Sequence, residues 1–80
     1  GVKVGENVIL NENNYVSAGA TIGGNVNIGK NNFLGLNCTI INNIFIGNNN
    51  FINSMSLVHK NIKNECKYVE LKETRVLTYK

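Results

Sequence analysis

Ile22-Gly23-Gly24-Asn25-Val26-Asn27-Ile28-Gly29-Lys30-Asn31-Asn32-Phe33-Leu34-Gly35 is the stretch that decides the fold. Its aliphatic anchors, Ile22, Ile28 and Leu34, stand six residues apart. Extended outward in both directions, the same spacing picks up Val4, Leu10, Val16, Ile40, Ile46, Ile52 and Val58 without a gap. A six-residue period is neither the 3.6 of a helix nor the 2 of a simple strand, so the chain from 4 to 63 is an internal repeat.

The other columns of the repeat agree with the first. One residue after each aliphatic, Gly or Asn fills seven of ten positions (Gly5, Asn11, Gly23, Gly29, Gly35, Gly47, Asn53). Three residues after it stand Asn7, Asn13, Gly19, Asn25, Asn31, Asn37, Asn43, Asn49, Met55 and Asn61. Gly and Asn tolerate positive φ at least cost, so a turn recurs in every hexad. Four residues after it come side chains without charge or ring, from Val8 and Asn14 to Ser56 and Ile62. A longer period lies on top: Asn13-Asn14-Tyr15, Asn31-Asn32-Phe33 and Asn49-Asn50-Phe51 recur at eighteen residues. Three hexads therefore close one three-sided coil, and coils 4–21, 22–39 and 40–57 stack at ~4.8 Å.

Eighty residues make one small domain. A solenoid escapes the usual size limit because each coil is supported by its neighbours. Proline is absent and 17 residues are Asn, all held in the hexad register or near it. The repeat is charge-balanced, so the net charge of +3 arises between Lys60 and Lys80. We expect residues 1–63 to form the repeat and residues 64–80 a capping tail. In that tail Tyr68-Val69-Glu70-Leu71-Lys72 alternates as a strand and Val76-Leu77-Thr78-Tyr79 offers a second. The fourth coil is expected to begin at Val58 and to decay after Lys63. The abrupt start at Gly1 reads as a piece of a larger protein. No apolar run approaches the length of a membrane span. Cys38 and Cys66 give no disulfide framework, which points to a reducing cytoplasm.

Val4-Gly5-Glu6-Asn7-Val8-Ile9, Ile22-Gly23-Gly24-Asn25-Val26-Asn27 and Ile28-Gly29-Lys30-Asn31-Asn32-Phe33 resemble the repeat of hexapeptide-repeat acyltransferases. The run Tyr15 to Ile62 is most similar to the C-terminal half of bacterial sialic-acid and bacillosamine-type sugar acetyltransferases. The resemblance implies an all-β fold, a left-handed parallel β-helix, assembled as a homotrimer with its sites between neighbouring helices. It implies transfer of an acetyl group from acetyl-coenzyme A to an amino or hydroxyl group of a sugar or nucleotide sugar, without a metal. Residue by residue, Glu6 stands where the family carries its general-base His, and Tyr15 where it carries an acetyl-contacting His. Gly24 falls on the backbone N–H donor to the thioester oxygen, an oxyanion-hole role, and is also cofactor-binding. Leu36 lies on the coenzyme A wall. Val69 to Thr74 occupies the place of the family's Gly-x-Pro-Ala-Lys loop, with no proline.

The residues carry other readings beside these. Tyr15, Phe33 and Phe51 point outward, as a stabilising ladder, a subunit interface or a sugar platform. Asn14, Asn32 and Asn50 point inward, where amides donate and accept along the stack. His59, the only histidine, is a corner residue too late in the repeat to be the family base. One histidine excludes a three-His metal site of the carbonic anhydrase kind, and a repeat without a basic stripe excludes nucleic acid. The alternative to an enzyme is a non-catalytic β-helix serving assembly, suggested by the missing His and the missing loop.

Overall fold

The computed structural model describes residues 1–69. Among them eleven two-residue strands follow in order: β1 (Lys3–Val4), β2 (Ile9–Leu10), β3 (Tyr15–Val16), β4 (Thr21–Ile22), β5 (Asn27–Ile28), β6 (Phe33–Leu34), β7 (Thr39–Ile40), β8 (Phe45–Ile46), β9 (Phe51–Ile52), β10 (Leu57–Val58) and β11 (Lys67–Tyr68). They stack into three parallel faces: β1-β4-β7-β10, β2-β5-β8 and β3-β6-β9-β11. The chain is a left-handed parallel β-helix of about four turns. No helix among the described residues is long and apolar enough to cross a membrane.

Each hexad folds for a local reason. The aliphatic anchor and the residue before it are extended and pair with the same two residues eighteen positions on, as in Thr21↔Thr39 and Ile22↔Ile40. Three residues beyond the anchor the backbone enters the left-handed region, at φ 58 for Asn7 and Asn25 and φ 61 for Asn31. Positive φ falls on this one column alone, and Met55 (φ 66) and Glu65 (φ 58) adopt it too. The glycines one residue beyond the anchor have a different reason. A Cβ on Gly29 would lie 2.6 Å from Gly47 O of the next coil, so glycine there permits the close approach of stacked backbones.

Inside, Ile22, Ile28, Leu34, Ile40, Ile46, Ile52 and Val58 are fully buried, each worth roughly 2 kcal/mol of gross burial. Val4 and Leu10 belong to the same columns but, in the outermost coil of the described residues, are 55% and 46% exposed. The corners are filled differently. Val8, Val26 and Ile44 fill the first corner, between the first and second faces. Asn14, Asn32 and Asn50 fill the second, and Ala20, Cys38 and Ser56 the third.

The asparagine ladder runs from side chain to backbone rather than from amide to amide. The Asn32 N–H donates to Asn14 Oδ1, the Asn50 N–H to Asn32 Oδ1 and the Cys66 N–H to Asn50 Oδ1, each at 2.8 Å. Asn14 Nδ2 donates to Gly29 O at 2.7 Å and Asn32 Nδ2 to Gly47 O at 2.9 Å. Asn50 Nδ2 is buried without a partner among the described residues. The stacked acceptor position there is Lys63, in a coil of different length.

That coil departs from the expected decay after Lys63. Val58 stacks on Ile40 at the usual offset of eighteen, but Ile62 bridges Ile46, and Tyr68 pairs with Ile52, at offsets of sixteen. Two residues of the first corner are missing between Val58 and Ile62, after which the hexad resumes through Tyr68. The half-buried Tyr68 ends the described column, its hydroxyl donating to Leu57 O at 3.0 Å. The strand expected from Tyr68 to Lys72 starts one residue earlier, at Lys67. Its continuation past Val69, and the strand expected at 76–79, lie outside the described residues.

Asn32→Ala is expected to lower stability by about 2–3 kcal/mol, since it strips partners from the buried Asn50 N–H and Gly47 carbonyl. Asn14→Ala, at the half-buried first rung, is expected to cost less; urea denaturation followed by circular dichroism compares the two. Gly29→Ala, measured the same way, is expected to destabilise although alanine is ordinarily the better residue.

Candidate functional site

The sequence directs attention to Glu6, Tyr15, Gly24 and Leu36, and the fold distributes them. Glu6 and Gly24 occupy the same position, two residues beyond the anchor, on successive coils of the first corner. Their backbones are stacked neighbours: the Asn25 N–H donates to Glu6 O at 2.8 Å, and a Cβ added to Gly24 would lie 3.4 Å from the same oxygen. Glu6 is exposed and Gly24 half-buried. Above them the corner continues through Asn42 to His59 and Lys60, where the coil contracts.

Tyr15 stands on the third face, as the first rung of an aromatic stack. Its ring lies 5.3 Å from Phe33 at 5°, and Phe33 lies 4.8 Å from Phe51 at 8°. Lys67 Nζ caps the stack, 5.8 Å from the Phe51 centroid, within cation–π reach. Leu36 is on the third corner and 51% exposed. One chain therefore joins Glu6 to Gly24 but sets both on a different corner from Leu36, with Tyr15 on the third face.

The Gly24 N–H, singled out as the oxyanion donor, is already engaged: it donates to Asn42 Oδ1 at 2.8 Å. This is one case of a general device. Two residues past four of the anchors, the backbone N–H is received by the side chain eighteen or sixteen positions on. Lys30 N–H donates to Asn48 Oδ1 at 2.7 Å, Leu36 N–H to Ser54 Oγ at 3.2 Å, and Asn48 N–H to Asn64 Oδ1 at 2.7 Å. Asn42 is thus the residue that sequence reading missed at this corner. Its signal was present, since a short polar residue stands one coil after Gly24, Lys30 and Leu36 alike.

The second corner carries one ion pair, Lys30 Nζ to Glu12 Oε2 at 3.5 Å between exposed side chains, worth at most about 1 kcal/mol. Among the described residues no group of three or more His, Cys, Asp or Glu is placed to hold a metal ion. Cys38 is buried in the third-corner column, and Cys66 is exposed with its Sγ donating to Asn64 O at 3.4 Å.

Comparison with known protein families, with curated proteins and with solved structures finds no match.

In Asn42→Ala the Gly24 N–H is expected to exchange with solvent roughly five- to tenfold faster, as befits the loss of one hydrogen bond. The Gly23 amide, which donates to Ile40 O at 2.7 Å, is expected to keep its protection. Hydrogen exchange followed by NMR measures both in one sample.

Proposed function

We propose that this chain is an acetyltransferase, or a segment of one, moving an acetyl group from acetyl-coenzyme A to an amino or hydroxyl group of a sugar or nucleotide sugar. The reading rests on the resemblance of the hexads, and the observation that carries it is the stacking of the exposed Glu6 against the half-buried Gly24 on successive coils of one corner. There the Glu6 carboxylate takes the proton from the acceptor as its nitrogen or oxygen attacks the thioester carbonyl. The oxyanion that develops is met by the Gly24 N–H once Asn42 swings away from it. The thiolate of coenzyme A leaves and is protonated, and the acetyl group stays on the acceptor.

Leu36 and Tyr15 belong to the same reading only through assembly. Since they stand apart from the Glu6 corner within one chain, they approach the Glu6 of a neighbouring copy. A homotrimer with acceptor and cofactor in its inter-subunit grooves satisfies that requirement.

A second reading has its own support. The Gly24 N–H is held by Asn42 at 2.8 Å, and the two positions where the family has histidines are Glu6 and Tyr15. These favour a non-catalytic β-helix that serves assembly. Calorimetric titration with acetyl-coenzyme A separates the two, with saturable heat at submillimolar ligand expected for the enzyme and none at millimolar ligand for the scaffold. Where transfer to an amino or hydroxyl sugar is detected, Glu6→Gln is expected to reduce kcat about 100-fold or more while leaving cofactor affinity within a few-fold.

A further inference from the structure

The first corner is regular up to Asn43 and irregular above it. On the lower coils it closes by a backbone bond, the Asn25 N–H donating to Glu6 O at 2.8 Å and the Asn43 N–H to Gly24 O at 2.9 Å. Among the described residues the Asn61 N–H makes no such bond to Asn42 O, and the Ile62 N–H donates to Phe45 O at 2.9 Å. The chain cuts this corner between Val58 and Ile62, so the coil below is left as a ledge. Ile41, Asn42 and Asn43 are all exposed on it, whereas Gly23 and Gly24 one coil down are half-buried. The ledge also interrupts the device that occupies N–H groups two residues past the anchors. Gly24, Lys30, Leu36 and Asn48 each donate to a side-chain oxygen of the next coil at 2.7–3.2 Å. The Asn42 N–H has no acceptor among the described residues, and the residue one coil on from it is Lys60.

The second corner shows what completes this arrangement. Glu12 likewise has a lysine one coil on, and there the chain supplies the anion itself, with Lys30 Nζ 3.5 Å from Glu12 Oε2. Glu6 and Ala18, whose N–H groups also find no acceptor among the described residues, have Gly24 and Leu36 one coil on, and so no charge. On the ledge, residue 42 is an amide rather than an acid, and its Oδ1 is turned down to the Gly24 N–H. Lys60 therefore has no ion pair among the described residues. Glu65 stands at the second corner, and the one described acid of the first, Glu6, is three coils below. That is about 14 Å at the strand spacing, outside the ~8 Å over which charges act in physiological salt. We propose that the ledge binds a phosphoryl group, one oxygen accepting from the Asn42 N–H and another from the Lys60 ammonium. Hydrogen bonds to an ionised acceptor are about twice as strong as neutral ones. An open ledge in water gives a single negative charge little hold, whereas a phosphate monoester carries about −1.5 to −2 at neutral pH. Inorganic phosphate and the phosphoryl end of a nucleotide share this chemistry. The site stands whether or not acetyl is transferred.

Titration followed in the amide NMR spectrum tests it, with ionic strength held constant by sodium chloride and with inorganic phosphate and uridine diphosphate as separate arms. The Asn42 amide is expected to shift and saturate. The Lys30 and Asn48 amides, already donating to Asn48 Oδ1 and Asn64 Oδ1, are expected to stay in place. Lys60→Gln is expected to weaken binding roughly tenfold, as befits the loss of one hydrogen bond to a charged group. Lys60→Arg, which keeps the charge, is expected to retain it. Lys30→Gln makes the same change in net charge at the second corner and is expected to leave the affinity unaltered. Tighter binding of the diphosphate names a nucleotide as the source and equal binding names free phosphate; either supports the ledge. An Asn42 amide that neither probe moves overturns the inference. So does an equal loss of affinity in Lys30→Gln and Lys60→Gln, which is diffuse attraction to the net charge of +3.

Discussion

A three-sided coil exists only where the backbone turns by about a third of a circle every six residues. Here the turn is made by a single residue in the left-handed region. That conformation costs an ordinary L-residue roughly 1–2 kcal/mol, and a short amide side chain or none at all lowers the cost. Seven asparagines and Gly19 supply it at eight of the eleven described corners, and the contracted corner between Val58 and Ile62 turns without it. Met55 and Glu65 meet the same demand without that advantage, which shows the neighbouring coils imposing the turn. Everything else follows from the corner: strands of only two residues, one inward aliphatic per face, and a stack in which like lies on like.

The hexad alone leaves an ambiguity that the corners resolve. A chain of identical hexads would stack equally well after a slip of six residues, because every face would look the same. Here the three corner interiors are aliphatic, amide and small. A slip of six would set Asn32 beside Val or Cys and strand its amide in an apolar column, at about 1–3 kcal/mol for each unpaired group. The asparagine ladder contributes to the specification of one stack as well as to its strength. It also places the Asn50 amide, which has no partner among the described residues, at the boundary where coil length changes.

The fold was legible because its signal is a period, and periods survive single exceptions. Ile22, Ile28 and Leu34 do meet inside, and the Tyr15, Phe33 and Phe51 rings do stack. What escaped was local. Ile62 fits the sequence as a corner filler four residues after Val58, and also as an anchor. Only the strand register, with Ile62 against Ile46, decides for the anchor. Glycine was ambiguous in the same way: Gly29 reads as a turn residue, yet it serves close approach, and positive φ belongs two residues later. At the candidate site, the stacking of Glu6 with Gly24 follows from the eighteen-residue offset. The capture of the Gly24 N–H by Asn42 follows from the same offset, but only once the direction of side chains at the corner is known.

The two-residue contraction between Val58 and Ile62 shows where a stacked coil absorbs a change in its length. Val58 still lies on Ile40, eighteen residues back, while Ile62 lies on Ile46 and Tyr68 on Ile52, sixteen back. The deletion is confined to one bend, and the flat segments on either side keep their partners. A solenoid of this kind accommodates gains and losses of residues at its edges without surrendering the alignment of its walls.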